Sequence, residues 1–182
     1  MRKYLAYSLL LAVLFGNSGA GCGSKNSDDP QPDKFQSLIG KWEAIRFNYE
    51  FTEQNGTIKN TGTELKSKGT IIIWEFFSDG RLKVTGNTNN NGAIESREVR
   101  WSLNVKKVDV NGDINDGTLT IIGDQERQFA QTLGQAGDLT YDIGTIAKSA
   151  APDGKTKMYL LVDVTKVGPY KKNTLTYIYD KQ

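Results

Sequence analysis

A chain of 182 residues with no His and a single Cys has few routes to chemistry. Without an imidazole there is no Ser-His-Asp triad and no Cys-His pair, and a Cys/His zinc site lacks its ligands. One thiol has no disulfide partner. Glycosidase chemistry needs only two carboxylates, but nothing in the sequence pairs two acids specifically. The chain is therefore read as a non-enzyme, with no catalytic residue, cofactor or metal ligand assigned. Asp109-Val110-Asn111-Gly112-Asp113 does begin like a calcium loop, with oxygen ligands at alternating positions. Ile114 then stands where the sharp-turn Gly is needed, and Thr120 where the bidentate Glu belongs. A polar turn between strands is the better reading.

What the chain concentrates instead is aromatic rings: Trp42, Trp74, Phe76, Trp101, Tyr141, Tyr159, Tyr177 and Tyr179. Rings bury large areas and, in Trp and Tyr, carry one polar group. They serve equally as packed core or as the wall of a cavity, and small eight-stranded barrels use them both ways. Trp42, Trp74, Phe76, Trp101, Tyr141 and Tyr177 are the candidate contacts to a small apolar or amphipathic ligand. The alternative is a filled barrel, an interaction protein or inhibitor that touches an envelope protein or a surface glycan through its loops.

Period-two patterning dominates the segments that must position these rings. Val99, Trp101, Leu103 and Val105 alternate with polar neighbours, as do Leu82 and Val84, which predicts strands with one buried face. Ser78-Asp79-Gly80 joins Ile71–Phe77 to the strand that follows, a hairpin signal because Gly supplies positive φ. Trp42–Phe51, Thr118–Ile122, Leu139–Ile146, Met158–Val167 and Thr174–Tyr179 complete eight strand candidates. Gly and Asn clusters separate them. Ile71–Phe77 is apolar on both faces apart from Glu75, so its outward side is expected under a helix or against a partner. Asp124–Leu133 predicts a short helix, with Phe129 and Leu133 four apart behind a capping Asp. Thr52–Lys68 reads as a long polar connection, a candidate lid over one mouth. The fold class expected is all-β: an eight-stranded up-and-down antiparallel barrel, which removes its own edges.

The N-terminus has the three-part shape of a secretory signal: Arg2 and Lys3, an apolar run from Leu5 to Phe15, then small residues. The run is shorter than the roughly 20 residues that span a bilayer. Gly19-Ala20-Gly21-Cys22 resembles the lipobox of bacterial lipoproteins, which implies a lipidated Cys22 as the first mature residue. Multiple acyl chains, at about 0.8 kcal/mol per buried CH₂, imply stable attachment to the membrane. Residues 1–21 are then the signal peptide, 22–34 a flexible tether and 35–182 the folded domain. The acidic Ser27-Asp28-Asp29 looks like an export tag, so the expected location is the outer membrane and its surface, with a periplasm-facing anchor as the alternative. Residues 1–21 carry Arg2 and Lys3 and no acid, so the remainder balances at 21 basic and 21 acidic residues. A neutral domain without basic blocks lacks the footprint of a nucleic-acid partner.

Gly40-Lys41-Trp42, preceded by a possible helical turn at Phe35-Gln36-Ser37, resembles the Gly-x-Trp motif at the first strand of lipocalins. The resemblance covers about residues 36–180 and is narrowest with the lipocalin-like lipoproteins of Gram-negative bacteria. It implies an eight-stranded barrel plugged at one end by Trp42, with a ligand lumen above. That family stacks an Arg from the end of its barrel on the Trp. Here no Arg follows Arg127, and Lys171, Lys172 or Lys181 is a poor planar substitute.

Overall fold

A computed structural model describes residues 36–87, 93–150 and 152–182. The signal segment, Cys22 and the tether lie outside these residues. Alternating apolar and polar residues produce the strands β1 (Gly40–Thr52), β2 (Ile58–Glu64), β3 (Ile72–Phe76), β4 (Arg81–Gly86), β5 (Glu95–Val108), β6 (Ile114–Ile122), β7 (Leu139–Lys148), β8 (Thr156–Asp163) and β9 (Lys172–Lys181), with helix α1 (Asp124–Thr132) between β6 and β7. Each strand from β3 to β9 pairs antiparallel with the next, and β9 returns to β1 over the register Trp42↔Lys181 to Thr52↔Lys172. The result is a closed eight-stranded barrel, as the patterning predicts.

β2 corrects the reading of Thr52–Lys68 as a lid. It folds back on β1 in the register Thr52↔Ile58 to Arg46↔Glu64, and β3 then continues along the same edge from Glu43↔Ile73 to Gly40↔Phe76. A 3-10 turn at Lys66–Lys68, ended by Gly69 at φ 69°, separates the two. β2 is legible only in the structure because it is almost wholly exposed, so no apolar alternation marks it. The last strand but one also ends earlier than Val167. Asp163 Oδ1 accepts from the Thr165 amide at 2.8 Å, which turns the chain out of the sheet.

A bulge between Ala44 and Arg46 shifts the inward face of β1, so that Trp42 and Ala44 face in first and Phe47 faces in beside Tyr177 afterwards. One end of the barrel is solid. Leu38 and Trp42 are fully buried there, the Trp42 indole N–H donates to Leu38 O at 2.7 Å, and Gly40 at φ 116° makes the turn into β1. Lys181 Nζ sits 5.4 Å from the Trp42 ring centroid, so a lysine takes the position expected to need an arginine. The Asp-Gly hairpin joins β3 and β4 at this end, with Gly80 at φ 81°. The turn Asp109–Asp113 joins β5 and β6, its Asp109 Oδ1 accepting from the amides of Asn111 and Asp113 at 2.8 and 3.0 Å. The outward side of the β3 run is half-buried, and Arg81 lies over the Phe77 ring.

Candidate functional site

The opposite end of the barrel is capped by α1, and between that helix and the solid floor lies a cavity of about 430 Å³. Its walls are built by strand register. Trp74 on β3 faces inward next to Val84 on β4; Tyr141 on β7 is opposite Leu119 on β6; Tyr177 and Tyr179 on β9 are two residues apart and share a face. The rings meet in sequence. Trp74 and Tyr141 are 5.8 Å apart at 66°, Tyr141 and Tyr177 are 6.0 Å apart at 89°, and Trp74 and Tyr179 are 4.9 Å apart at 36°.

Of the six ring positions singled out from the sequence, Trp74, Tyr141 and Tyr177 line this cavity. Trp42, Phe76 and Trp101 do not. They form the floor and the walls below it. Phe76 stands 5.9 Å from Trp74 and 5.4 Å from Trp101, and the Trp101 indole donates to the carbonyls of Arg81 and Phe77 at 2.9 and 3.2 Å, sealing the β3–β4 turn. Trp42 and Trp101 thus spend their N–H groups on backbone carbonyls. Trp74 makes no such hydrogen bond among the described residues and sits on the cavity wall. Burial holds the phenols of Tyr141 and Tyr179 well above their ordinary value and raises that of Tyr177, with the neighbouring Tyr177 and Glu126 adding to the rise at Tyr141. All three are therefore neutral hydroxyls at physiological pH.

α1 is fixed over the cavity at both ends. Its first turn carries Asp124 and Glu126, which complement the positive end of the helix dipole. Glu126 is 4% exposed, and its Oε1 accepts from Arg97 Nε at 2.8 Å and Arg97 Nη2 at 2.7 Å. Gly123 permits this packing, since a Cβ there would lie 2.3 Å from Glu126 Oε2. At the far end Gly134 at φ 76° stops the helix, with Gly134 N donating to Gln131 O and Gln135 N to Ala130 O. The Gln135 side chain then clamps Thr140 on β7 through both of its amide atoms, at 2.7 and 2.9 Å.

Arg97, Glu126, Phe129 and Tyr179 are among the lining residues that the six candidates leave out. Arg97 was detectable, because it falls in phase with Val99, Trp101 and Leu103 on the inward face of β5. An arginine among buried positions marks a cavity or a partner. The Arg97–Glu126 pair also borders an outer groove of about 580 Å³ that runs past Glu98 and Arg100, so it stands as a partition between lumen and surface. Comparison with family models, curated proteins and solved structures gives no match.

Proposed function

We propose that this chain is a lipid-anchored cell-envelope lipoprotein of lipocalin-like type that binds a small apolar or amphipathic ligand in its barrel lumen. The observation that carries the binding reading is the cavity of about 430 Å³ with Trp74, Tyr141, Tyr177 and Tyr179 as its walls. Ligand pockets of about 300–1,000 Å³ with mostly apolar linings and a few placed polar groups are the usual size and chemistry for this task. Lys181 over Trp42 at the solid end supports the lipocalin-like reading, because a cation covers the plugging ring as in that family. Lipidation at Cys22 and an outer-membrane, surface-exposed location rest on the sequence before residue 35.

Native mass spectrometry of the chain from residue 33, paired with tryptophan quenching by lipids and small aromatic compounds, tests the binding reading. A co-purified mass or saturable quenching that Trp74→Phe weakens is the expected result. An empty and unresponsive domain would replace it with the alternative, a protein or glycan partner met at the loops. For that alternative the relevant surface is the rim formed by Tyr49, Phe51 and Tyr170, where Phe51 and Tyr170 are 4.4 Å apart and Tyr49 and Tyr170 6.4 Å apart. Mass spectrometry of membrane-extracted protein tests the anchor, an acylated Cys22 being expected and an unmodified thiol overturning it.

A further inference from the structure

We propose that the lumen selects cations: its ligand carries an ammonium group, held against the faces of Trp74, Tyr141 and Tyr177 and within reach of the Glu126 carboxylate. This rests on the lumen-binding reading above and adds a charge class to it. Three observations bear on the sign of the charge.

The first is the arrangement of the rings. Trp74, Tyr141, Tyr177 and Tyr179 all line the cavity, and the Trp74–Tyr141 and Tyr141–Tyr177 pairs meet edge-on at 66° and 89°, so a ligand there is bounded by aromatic rings set at steep angles to one another. The face of an aromatic ring is the negative part of its quadrupole, and cations that replace hydration with several such faces are bound favourably. An anion in the same space would meet those faces with the wrong sign.

The second is Glu126. Both Arg97 nitrogens bond the same oxygen, Oε1, while Oε2 packs against Gly123 and accepts no side-chain hydrogen bond among the described residues. Both residues line the lumen, but the Glu126 side chain is 4% exposed whereas the Arg97 side chain is 40% exposed and keeps its outer side in water. The acid is therefore the charge committed to the interior, and the base is the one that water can serve. A ligand ammonium would share the carboxylate with Arg97 and would not have to displace it.

The third is the neutral donor set. Among the described residues the Trp74 indole N–H makes no hydrogen bond, and the Tyr141 and Tyr177 phenols stay protonated, so Arg97 and Glu126 carry the only formal charges among the described lining residues. Of the other lining residues Gln125 is polar and uncharged, while Ile72, Val84, Ile121, Phe129 and Leu139 are apolar and suit the hydrocarbon part of an amphipathic amine.

The test uses three probes of one shape class on the full-length chain: benzyltrimethylammonium, its uncharged carbon isostere neopentylbenzene, and the anion 3-phenylpropanoate, followed by calorimetry and tryptophan fluorescence. The ammonium is expected to bind about tenfold tighter than the neutral isostere, the factor that one desolvated cation–π and charge contact supplies. In Glu126→Gln, which keeps the size of the side chain, the ratio of ammonium to isostere affinity should fall severalfold. Equal binding of ammonium and isostere by the wild-type chain, or tightest binding of the anion, overturns cation selectivity and leaves the lumen as a binding site. Failure of all three probes to bind overturns both readings. The wild-type comparison decides the matter even where the variant does not fold.

Discussion

Lys181 lies over the face of Trp42, its Nζ 5.4 Å from the ring centroid and 2.8 Å from the carbonyl oxygen of Ser37. The last turns of β9 are thereby tied to the chain just before β1. Partial burial pulls the Lys181 ammonium below its ordinary pKa, so the contact is made against a desolvation cost. Lys181→Ala should lower the unfolding free energy by about 1–2 kcal/mol, the range of a partly desolvated cation–π contact with one charge-assisted hydrogen bond. Lys181→Arg should retain most of it. Urea titrations of the two variants check this, and equal losses would mean that the stem rather than the charge holds the position.

The two lumen-side charges differ in what their removal strands. Arg97→Ala leaves the Glu126 carboxylate buried without its partner, while Glu126→Ala leaves an arginine that turns to water. The arginine variant is expected to cost about 3 kcal/mol and the glutamate variant less, since breaking a buried pair is worst when the remaining charge stays buried. Gly123→Ala should resemble Glu126→Ala, because the new Cβ would collide with the glutamate at 2.3 Å. Denaturant midpoints for the three proteins give the order directly.

Alkaline pH should unfold the barrel through its tyrosines. Tyr141, Tyr177 and Tyr179 have phenol pKa values raised by burial, so above about pH 10, the ordinary phenol value, the unfolded chain releases protons that the folded chain retains. Stability is undiminished below that pH and falls as pH rises beyond it. Absorbance at 295 nm should show three phenols silent until the cooperative transition, and Tyr141→Phe should move the transition to higher pH. Titration of all phenols in one early step would contradict the burial.

Two tryptophans should separate stability from binding. Trp42→Phe removes a fully buried ring system and its 2.7 Å bond to Leu38 O, so a loss of about 2–4 kcal/mol is expected from the cavity and the stranded carbonyl. Trp74→Phe strands nothing within the described residues and should cost less, while weakening any lumen ligand. Thermal melts run beside ligand titrations distinguish the two. A Trp74→Phe protein with wild-type affinity would place the ligand elsewhere.

Sequence patterning anticipates most of this barrel, and its failures have physical causes. The inward positions of β4 to β7 are read from alternation because one face is apolar and the other wet. The hairpin at Ser78-Asp79-Gly80 follows from the positive φ that Gly80 adopts. β2 escapes because both of its faces are wet, and Phe47 changes face because a bulge inserts one residue that no pattern of period two can announce. Half of the candidate ring set reached the lumen and half the floor. What separates the halves is depth along the barrel, which depends on the stagger of the strands and is not encoded by any one of them. The Lys181 contact depends on a fold-back across 144 positions and leaves no local trace.

The seam between β1 and β9 also fixes an order of events. The first strand of the barrel waits for the last, and until Lys172–Lys181 has been synthesised both β1 and β8 present open edges to one another's solvent. No N-terminal fragment is therefore a smaller version of the same fold. Pairings of such long range are slow to form because the loop must close before any contact rewards it. A chain built this way becomes a container only when Lys172–Lys181 has joined β1.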